Sequence, residues 1–453
     1  MPNTRKALCL LAGAALALVA TAPSFGSGER IGRTTDATPP VNDPPVLAAD
    51  AFVDSEGINT QFSRITYSRD PSLAARIKEL RIRHLRDGIE LRNPQSVSLF
   101  NRVANVTGAK YDFITDGGRN AFGKNAQTAA DIAAFVRSVP STEAIEAPNE
   151  YDTRCCAWQV ALAAFLPTLR EANVGLPIVG PAFTSQYAYD LAGDLSKFVD
   201  ISNVHNYFSG FMPETDGWGG RMSVCGASHH DYCGRYGSLQ YSMSLAKISG
   251  PSSDVYSTET GYGTDRAHNV VDAATQAKYI PRLLFNQFAN GVKRTYLFQL
   301  VDYHAAKIGG YASYGLLEAS PDYTSHVPKP SFTVLAKINA LLEDPGGAFA
   351  PTPLAIRTAG TTPATQSVLL EKRDGTYYDA LWSAVSSYDV NGFAPGPTPS
   401  TAQTVTLHFD VPMAATIYAF ADDGTETVTR AKPGRSLDVV VSDRVTLVRI
   451  RRS

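Results

Sequence analysis

Between Ala51 and Val301 the chain repeats one pattern: a short apolar run that suits a strand, then a segment with apolar residues at helical spacing. The runs are Ala51–Ile58, Ile82–Gly88, Tyr111–Asp116, Ile145–Pro148, Pro177–Pro181, Val199–His205, Val255–Glu259 and Thr295–Val301. They are mostly apolar, as strands covered on both faces by helices should be. Leu73, Ile77 and Leu80 fall on one helical face, and so do Ile132, Phe135 and Val136. Trp158–Ala172 and Ala273–Ala289 read as longer helices, the second interrupted by Pro281. Eight such units in roughly 250–290 residues predict a closed parallel (β/α)8 barrel. We assign it to residues 47–344, ending in a helix over Ser331–Leu342.

After Asp344 the texture changes. Pro345-Gly346-Gly347 and Pro351-Thr352-Pro353 make a linker, and beyond it the chain alternates as exposed-face strands do. Strands are expected at Ser367–Glu371, Tyr377–Trp382, Thr404–Phe409, Ala415–Ala419, Ser436–Val441 and Val445–Ile450. Asp374-Gly375 and Asp423-Gly424 supply turns, and Gly392–Ser400 reads as a long hairpin loop. Residues 354–453 therefore read as a C-terminal antiparallel β-sandwich.

The first residues read as a processing signal. Arg5 and Lys6 precede the apolar stretch Ala7–Val19, and Ala20-Thr21-Ala22 resembles a cleavage site, with cleavage expected by about Gly26. A signal peptide over 1–26, a flexible leader over 27–46 and secretion follow. Cys9 lies too early in the apolar stretch for lipid attachment, and no later stretch is apolar enough to insert stably in a membrane. Export leaves Cys155, Cys156, Cys225 and Cys233, and an even count in an oxidising compartment suggests disulfides. Cys225 with Cys233 is the expected pair. Cys155 and Cys156 would form a vicinal bridge, stay reduced, or cross-pair with the later two. His229 and His230 between the later cysteines would also suit zinc, but oxidising export favours the disulfide.

Hydrophobic residues make up 44% and charged residues 19% of the chain, which fits a globular protein with a large core. A formal net charge of -2 gives no electrostatic case for a nucleic-acid partner. Polar residues gather where the predicted strands end: Arg86 and Asp87 on the second, Asn149 and Glu150 on the fourth, His205, Asn206 and Tyr207 on the sixth, Glu259 on the seventh, Gln299 and Asp302 on the eighth. Barrel active sites sit at that face, and an apolar interior has no use for unpaired charge. Two carboxylates facing each other across a sugar ring are the minimum equipment for cleaving a glycosidic bond.

On these residues the barrel resembles the clan A retaining (β/α)8 glycoside hydrolases, and is most similar to glycoside hydrolase family 39. The matching positions are Arg86, Asn149-Glu150, His205-x-Tyr207 and Glu259, with Gly315-Leu316-Leu317 and Pro328-Lys329-Pro330 at the end of the barrel. The likeness runs from about Phe52 to Leu342. It implies Glu150 as acid/base, Glu259 as nucleophile, and Asn149 bonded to the sugar 2-hydroxyl. It further implies that Tyr207 orients Glu259, Arg86 keeps it ionised and His205 binds substrate or braces the site. Many clan members carry Trp on strand eight; Phe298 and Gln299 stand here and are assigned to substrate. The implied partner is a polysaccharide or oligosaccharide, with no metal and no organic cofactor.

Two other readings compete: a non-catalytic carbohydrate-binding protein on the same barrel, and a metal-dependent barrel hydrolase. The second wants His and Asp donors on several strands, and the first strand carries no His-x-His. The loop Phe208–Tyr236 carries Phe208, Phe211, Trp218, Tyr232 and Tyr236, which suit either a sugar-stacking wall or packing onto the barrel.

Overall fold

The computed structural model describes residues 45–453 apart from 90, 92–93, 119–125, 155–156, 173, 219–233, 252, 265–269, 304–312 and 392–394. Eight parallel strands form one sheet: β1 (Glu56–Asn59), β2 (His84–Gly88), β3 (Lys110–Ile114), β4 (Thr142–Glu146), β5 (Ile178–Val179), β6 (Ser202–His205), β7 (Val255–Thr260) and β8 (Arg294–Leu297). β1 pairs with both β2 and β8, and a parallel bridge between Val179 and Ile201 joins β5 to β6. The sheet closes into the expected barrel.

The interior is layered. At the lower, N-terminal end of the strands lie His84, Glu143 and Arg294. Ala144, Val179, Ile201, Tyr256 and Tyr296 fill the middle. Gly57 permits this, because a Cβ there would sit 2.3 Å from the Tyr296 ring. Above them come Asn59, Arg86, Glu146, Asn203 and Thr258, hydrogen-bonded to one another.

Helices form where the apolar spacing put them. Leu73–Leu80 buries Leu73, Ile77 and Leu80, and Ala129–Ser138 buries Ile132 and Phe135 behind a capping box of Thr128 and Asp131. The first expected strand splits instead. Ala49–Asp54 is helical because Phe52 stacks on Phe285, their centroids 4.0 Å apart, and only Glu56–Asn59 joins the barrel. Ala273–Ala289 runs unbroken through Pro281, since its buried face (Tyr279, Ile280, Leu283, Leu284, Phe285) outweighs a proline cost of about 3 kcal/mol.

The C-terminal domain is a mixed sheet folded into two layers. β9 (Ile356–Ala359), the first half of β12 (Gln403–Phe420) and β14 (Gly434–Val441) make one layer. β10 (Thr365–Glu371), β11 (Tyr377–Ser383), β15 (Thr446–Arg452), the second half of β12 and β13 (Glu426–Arg430) make the other. The two expected strands Thr404–Phe409 and Ala415–Ala419 are thus one strand bent between His408 and Met413, serving both layers. All of this is antiparallel, but Val46–Ala48 adds a parallel strand beside β10. β11 is buried along its whole length because it is covered twice. Leu381 faces the sandwich interior, while Tyr378, Ala380 and Trp382 join the barrel's core.

A polar knot crosses between the domains. Buried Arg282 donates from Nε and Nη2 to Glu214 at 3.0 and 2.5 Å, and from Nη1 to the carbonyls of Val385 and Asp443. Trp382 Nε1 donates to the same Glu214 at 2.7 Å.

The disulfide expectation is corrected. No disulfide is present among the described residues, and Cys155, Cys156, Cys225 and Cys233 lie outside them, as do His229, His230 and the expected signal peptide. Among the described residues no helix is long and apolar enough to cross a membrane.

Candidate active site

The polar strand ends meet at the upper mouth of the barrel in a cleft of about 870 Å³. Arg86, buried to 1% exposure on β2, is its hub. Nε and Nη2 donate to both oxygens of Glu146 at 2.7 Å. Nη1 donates to Asn59 Oδ1 and Glu259 Oε1 at 2.8 Å each, and Nη2 also donates to Asn149 Oδ1 at 2.7 Å. Asn59 is held in turn by the carbonyls of Thr258 and Leu297.

Glu259 lies within β7, its side chain 12% exposed. Tyr207 donates its hydroxyl to Glu259 Oε2 at 3.0 Å. Burial works against the Glu259 charge, but His205 and Arg86 beside it, with the donors on both oxygens, hold its carboxyl below the ordinary value. Burial and the Glu259 charge push the Tyr207 hydroxyl up, so it stays a donor.

Glu150 stands beyond β4 with φ 40° and ψ 49°, a left-handed conformation that costs a residue with a Cβ about 1–3 kcal/mol. The chain turns there into the short Tyr151–Thr153 helix, so the Glu150 side chain, 33% exposed, reaches the cleft. His205 bridges the walls: Nδ1 lies 2.9 Å from Glu150 Oε1, and Nε2 lies 3.1 Å from Thr258 Oγ1. Glu150, His205 and Glu259 each bring a polar atom within 4.8 Å of the other two.

That spacing would admit a metal ion on distance alone. The donor chemistry argues otherwise. Both oxygens of Glu259 already accept from Arg86 and Tyr207, and a second cation would face the Arg86 guanidinium 2.8 Å from the same carboxylate.

No protein-family model matches the chain, and no curated protein matches it by sequence. Solved structures match it in fold. A family 39 glycoside hydrolase from the gut symbiont Bacteroides cellulosilyticus WH2 superposes with a TM-score of 0.58 at 12% identity, over 90% of this chain and 83% of that one. The thermostable GH51 α-L-arabinofuranosidase from Thermotoga petrophila RKU-1 gives 0.51 at 10% identity, over 90% and 98%. CelM2, a bifunctional glucanase-xylanase from a metagenome library, gives 0.50 at 10% identity, over 91% and 98%. The fold is that of distant glycosidase barrels.

Of the residues singled out in the sequence, Arg86, Asn149, Glu150, His205, Tyr207, Glu259 and Phe298 converge on this cleft. Phe298 packs edge-on against Tyr207 and Tyr314, with centroids 6.5 and 6.1 Å away. Gln299 is fully buried behind them, and its Oε1 accepts from Gln61 Nε2 and Tyr67 OH at 3.3 Å. Asp87 ties β2 to the segment after β1, accepting from Thr60 and from the amides of Phe62 and Gly88; burial pushes its carboxyl up to about 7 against those donors.

The described aromatics of the loop divide between the core and the cleft. Phe208 is buried near Tyr262, whereas Trp218 and Tyr236 wall the cleft, Trp218 stacking on Phe211 at 5.0 Å. Tyr232 lies outside the described residues. Sequence reasoning missed Asn59, Glu146, Asn203 and Thr258, the polar layer beneath the mouth. The available signal was a Glu inside an apolar run, four residues before Glu150 and so near the same strand end.

Proposed function

We propose that this chain is a secreted retaining glycoside hydrolase, similar to family 39, that cleaves O-glycosidic bonds of a poly- or oligosaccharide by double displacement. The observation that carries the reading is the approach of Glu150 and Glu259 to within 4.8 Å across the cleft, Glu259 between two donors. Retaining enzymes place their carboxyl groups about 5–5.5 Å apart, and inverting ones about 6.5–9.5 Å.

In the first step Glu259 attacks the anomeric carbon. The bond to the leaving oxygen breaks, and Glu150 gives that oxygen its proton. In the second step Glu150 takes a proton from water, the water oxygen bonds the anomeric carbon, and Glu259 leaves as a carboxylate. Arg86 and Tyr207 supply charge and a hydrogen bond to that departing carboxylate. Asn149, whose Oδ1 is taken by Arg86, offers its amide N–H to the sugar 2-hydroxyl. His205 braces Glu150, Phe298 floors the cleaved-sugar subsite, and Trp218 and Tyr236 stack on the neighbouring sugars.

The test is a screen of bacterial, plant and fungal polysaccharides that reads new reducing ends, followed by the responsive glycan with two variants. Glu259→Gln is expected to abolish turnover. Glu150→Gln is expected to keep activity on an activated aryl glycoside of the right sugar, and added azide is expected to restore its turnover with retained configuration. Wild-type rates from both variants would sink the mechanism. Glycan binding by the wild type without hydrolysis would leave a carbohydrate-binding protein.

A further inference from the structure

Glu146 is as deeply buried as any acid in the molecule, at 0% exposure, and the mechanism above gives it no step. It projects from the last position of β4 into the barrel and takes the Arg86 guanidinium on both oxygens. A bidentate carboxylate fixes the plane of a guanidinium as well as its position. Asn203 Nδ2 also donates to Glu146 Oε1 at 3.2 Å, and Thr258 Oγ1, 2.9 Å from Asn203 Oδ1, lies 3.3 Å from the same carboxylate oxygen, so Glu146 is held by more than Arg86. With that plane fixed, Nη1 of Arg86 reaches Glu259 and the second N–H of Nη2 reaches Asn149.

The charges follow the same geometry. One guanidinium lies between two carboxylates, with an opposite charge within hydrogen-bonding distance on either side. Asp112 on β3 stands beside Arg86 in register, and neither of its oxygens has a hydrogen-bond partner among the described residues. Burial, then the neighbouring Glu146 charge, pushes the Asp112 carboxyl well up. Glu146 is faced further by the Tyr189 hydroxyl from the helix Gln186–Ala192 and, through Arg86, by Glu259. Glu259 itself faces His205, Tyr207 and Glu150 besides Arg86.

We infer that Glu146 is a positioning residue: it sets the plane of Arg86 toward Glu259 and Asn149, and cancels enough of the Arg86 charge to keep Glu259 a competent nucleophile. The inference rests on the glycosidase reading and adds a residue to it. An Arg86 facing Glu259 alone would favour the ionised carboxylate over the glycosyl ester it must form. Glu146 divides that attraction.

The experiment compares Glu146→Gln and Glu146→Asp with wild type, on the glycan that wild type hydrolyses. Glu146→Gln removes the charge, leaves Arg86 uncompensated and favours ionised Glu259. The acid limb of the kcat/KM profile is therefore expected to move down by about one pH unit. The twisted Arg86 is expected to lower kcat ~10-fold. Glu146→Asp keeps the charge but cannot span both donors. It is expected to lose kcat by a similar factor, with its acid limb where wild type has it and its KM within about threefold. Equal acid limbs in all three proteins, or wild-type kcat in Glu146→Asp, would overturn the inference. If Glu146→Gln does not fold, the kcat and limb of Glu146→Asp decide alone. A wild type that hydrolyses no glycan sinks the glycosidase reading instead, so the two failures are distinct.

Discussion

At the lower end of the barrel His84, Glu143, Asp54 and Arg294 close a ring of charge. His84 reaches Glu143 at 2.6 Å and Asp54 at 3.2 Å, while Arg294 reaches the same two acids at 3.1 and 3.5 Å. Further up the same strands β2 and β4, Arg86 and Glu146 make a pair of the same chemical type. In the lower ring His84 and Arg294 both reach Glu143 and Asp54, and Arg83 stands beside Asp54. In the upper pair one edge of Arg86 is consumed by Glu146, and its remaining donors go to Asn59 and, at the cleft, to Glu259 and Asn149. Charge turned on itself at the N-terminal face of a barrel closes the structure, whereas charge extended to the C-terminal face is set up for a ligand. The residue types do not separate the two roles; the partners that each arginine reaches do.

The largest effect should come from breaking the upper pair. Arg86→Met leaves Glu146 buried beside an apolar side chain, and such an uncompensated charge costs about 3–5 kcal/mol. Thermal unfolding is expected to show that loss, with hydrolysis abolished in the protein that stays folded. A wild-type melting temperature would mean that Glu146 is not charged, and the comparison would collapse. Next in size is Arg294→Met at the lower end. Its acids keep other partners, since His84 serves both and Arg83 faces Asp54 at 3.7 Å. A loss of about 1–2 kcal/mol is expected, with kcat per folded molecule unchanged. A tenfold change in kcat would show that the lower ring also serves the site.

The smallest effect is a pH dependence. The hydrogen bond from His84 holds Asp54 down at about 2, against burial, and burial of Glu143 is outweighed by His84 and Arg294, which hold it low. An acid lowered by folding stabilises above its unfolded value near ~4 and loses that contribution as pH falls through its folded value. The urea midpoint of wild type is therefore expected to fall between about pH 4 and pH 2 more steeply than that of Glu143→Gln. Parallel midpoints would remove Glu143 from the ring.

The barrel was legible because its strands overlap short, mostly apolar runs and because helices such as Leu73–Leu80 and Ala129–Ser138 show one apolar face. The cleft residues Arg86, Asn149, Glu150, His205, Tyr207 and Glu259 were legible because they interrupt apolarity where a strand ends. Glu146 was hidden by the same logic, since it sits inside the run Ile145–Pro148 and reads as strand. Asn59 fell one residue past the expected end of the first run. Val46–Ala48 was hidden for another reason: a strand of three residues has no period to detect, and its partner β10 is remote in the chain. The unity of Gln403–Phe420 was invisible because the bend at His408–Met413 looks like a turn until both layers are present to pair with it.

The knot at Glu214 has a consequence for anyone who treats the C-terminal sheet as an interchangeable module. Glu214 belongs to the segment between Phe211 and Trp218, so Trp382, reaching over from β11, holds the base of the cleft's aromatic wall. Arg282 pins the same carboxylate from the barrel and reads two carbonyls of the neighbouring domain. Grafting another module in that place would leave Glu214 without one donor and Arg282 without two acceptors. The aromatic wall of the cleft would then be re-cut by an exchange made on the far side of a domain boundary.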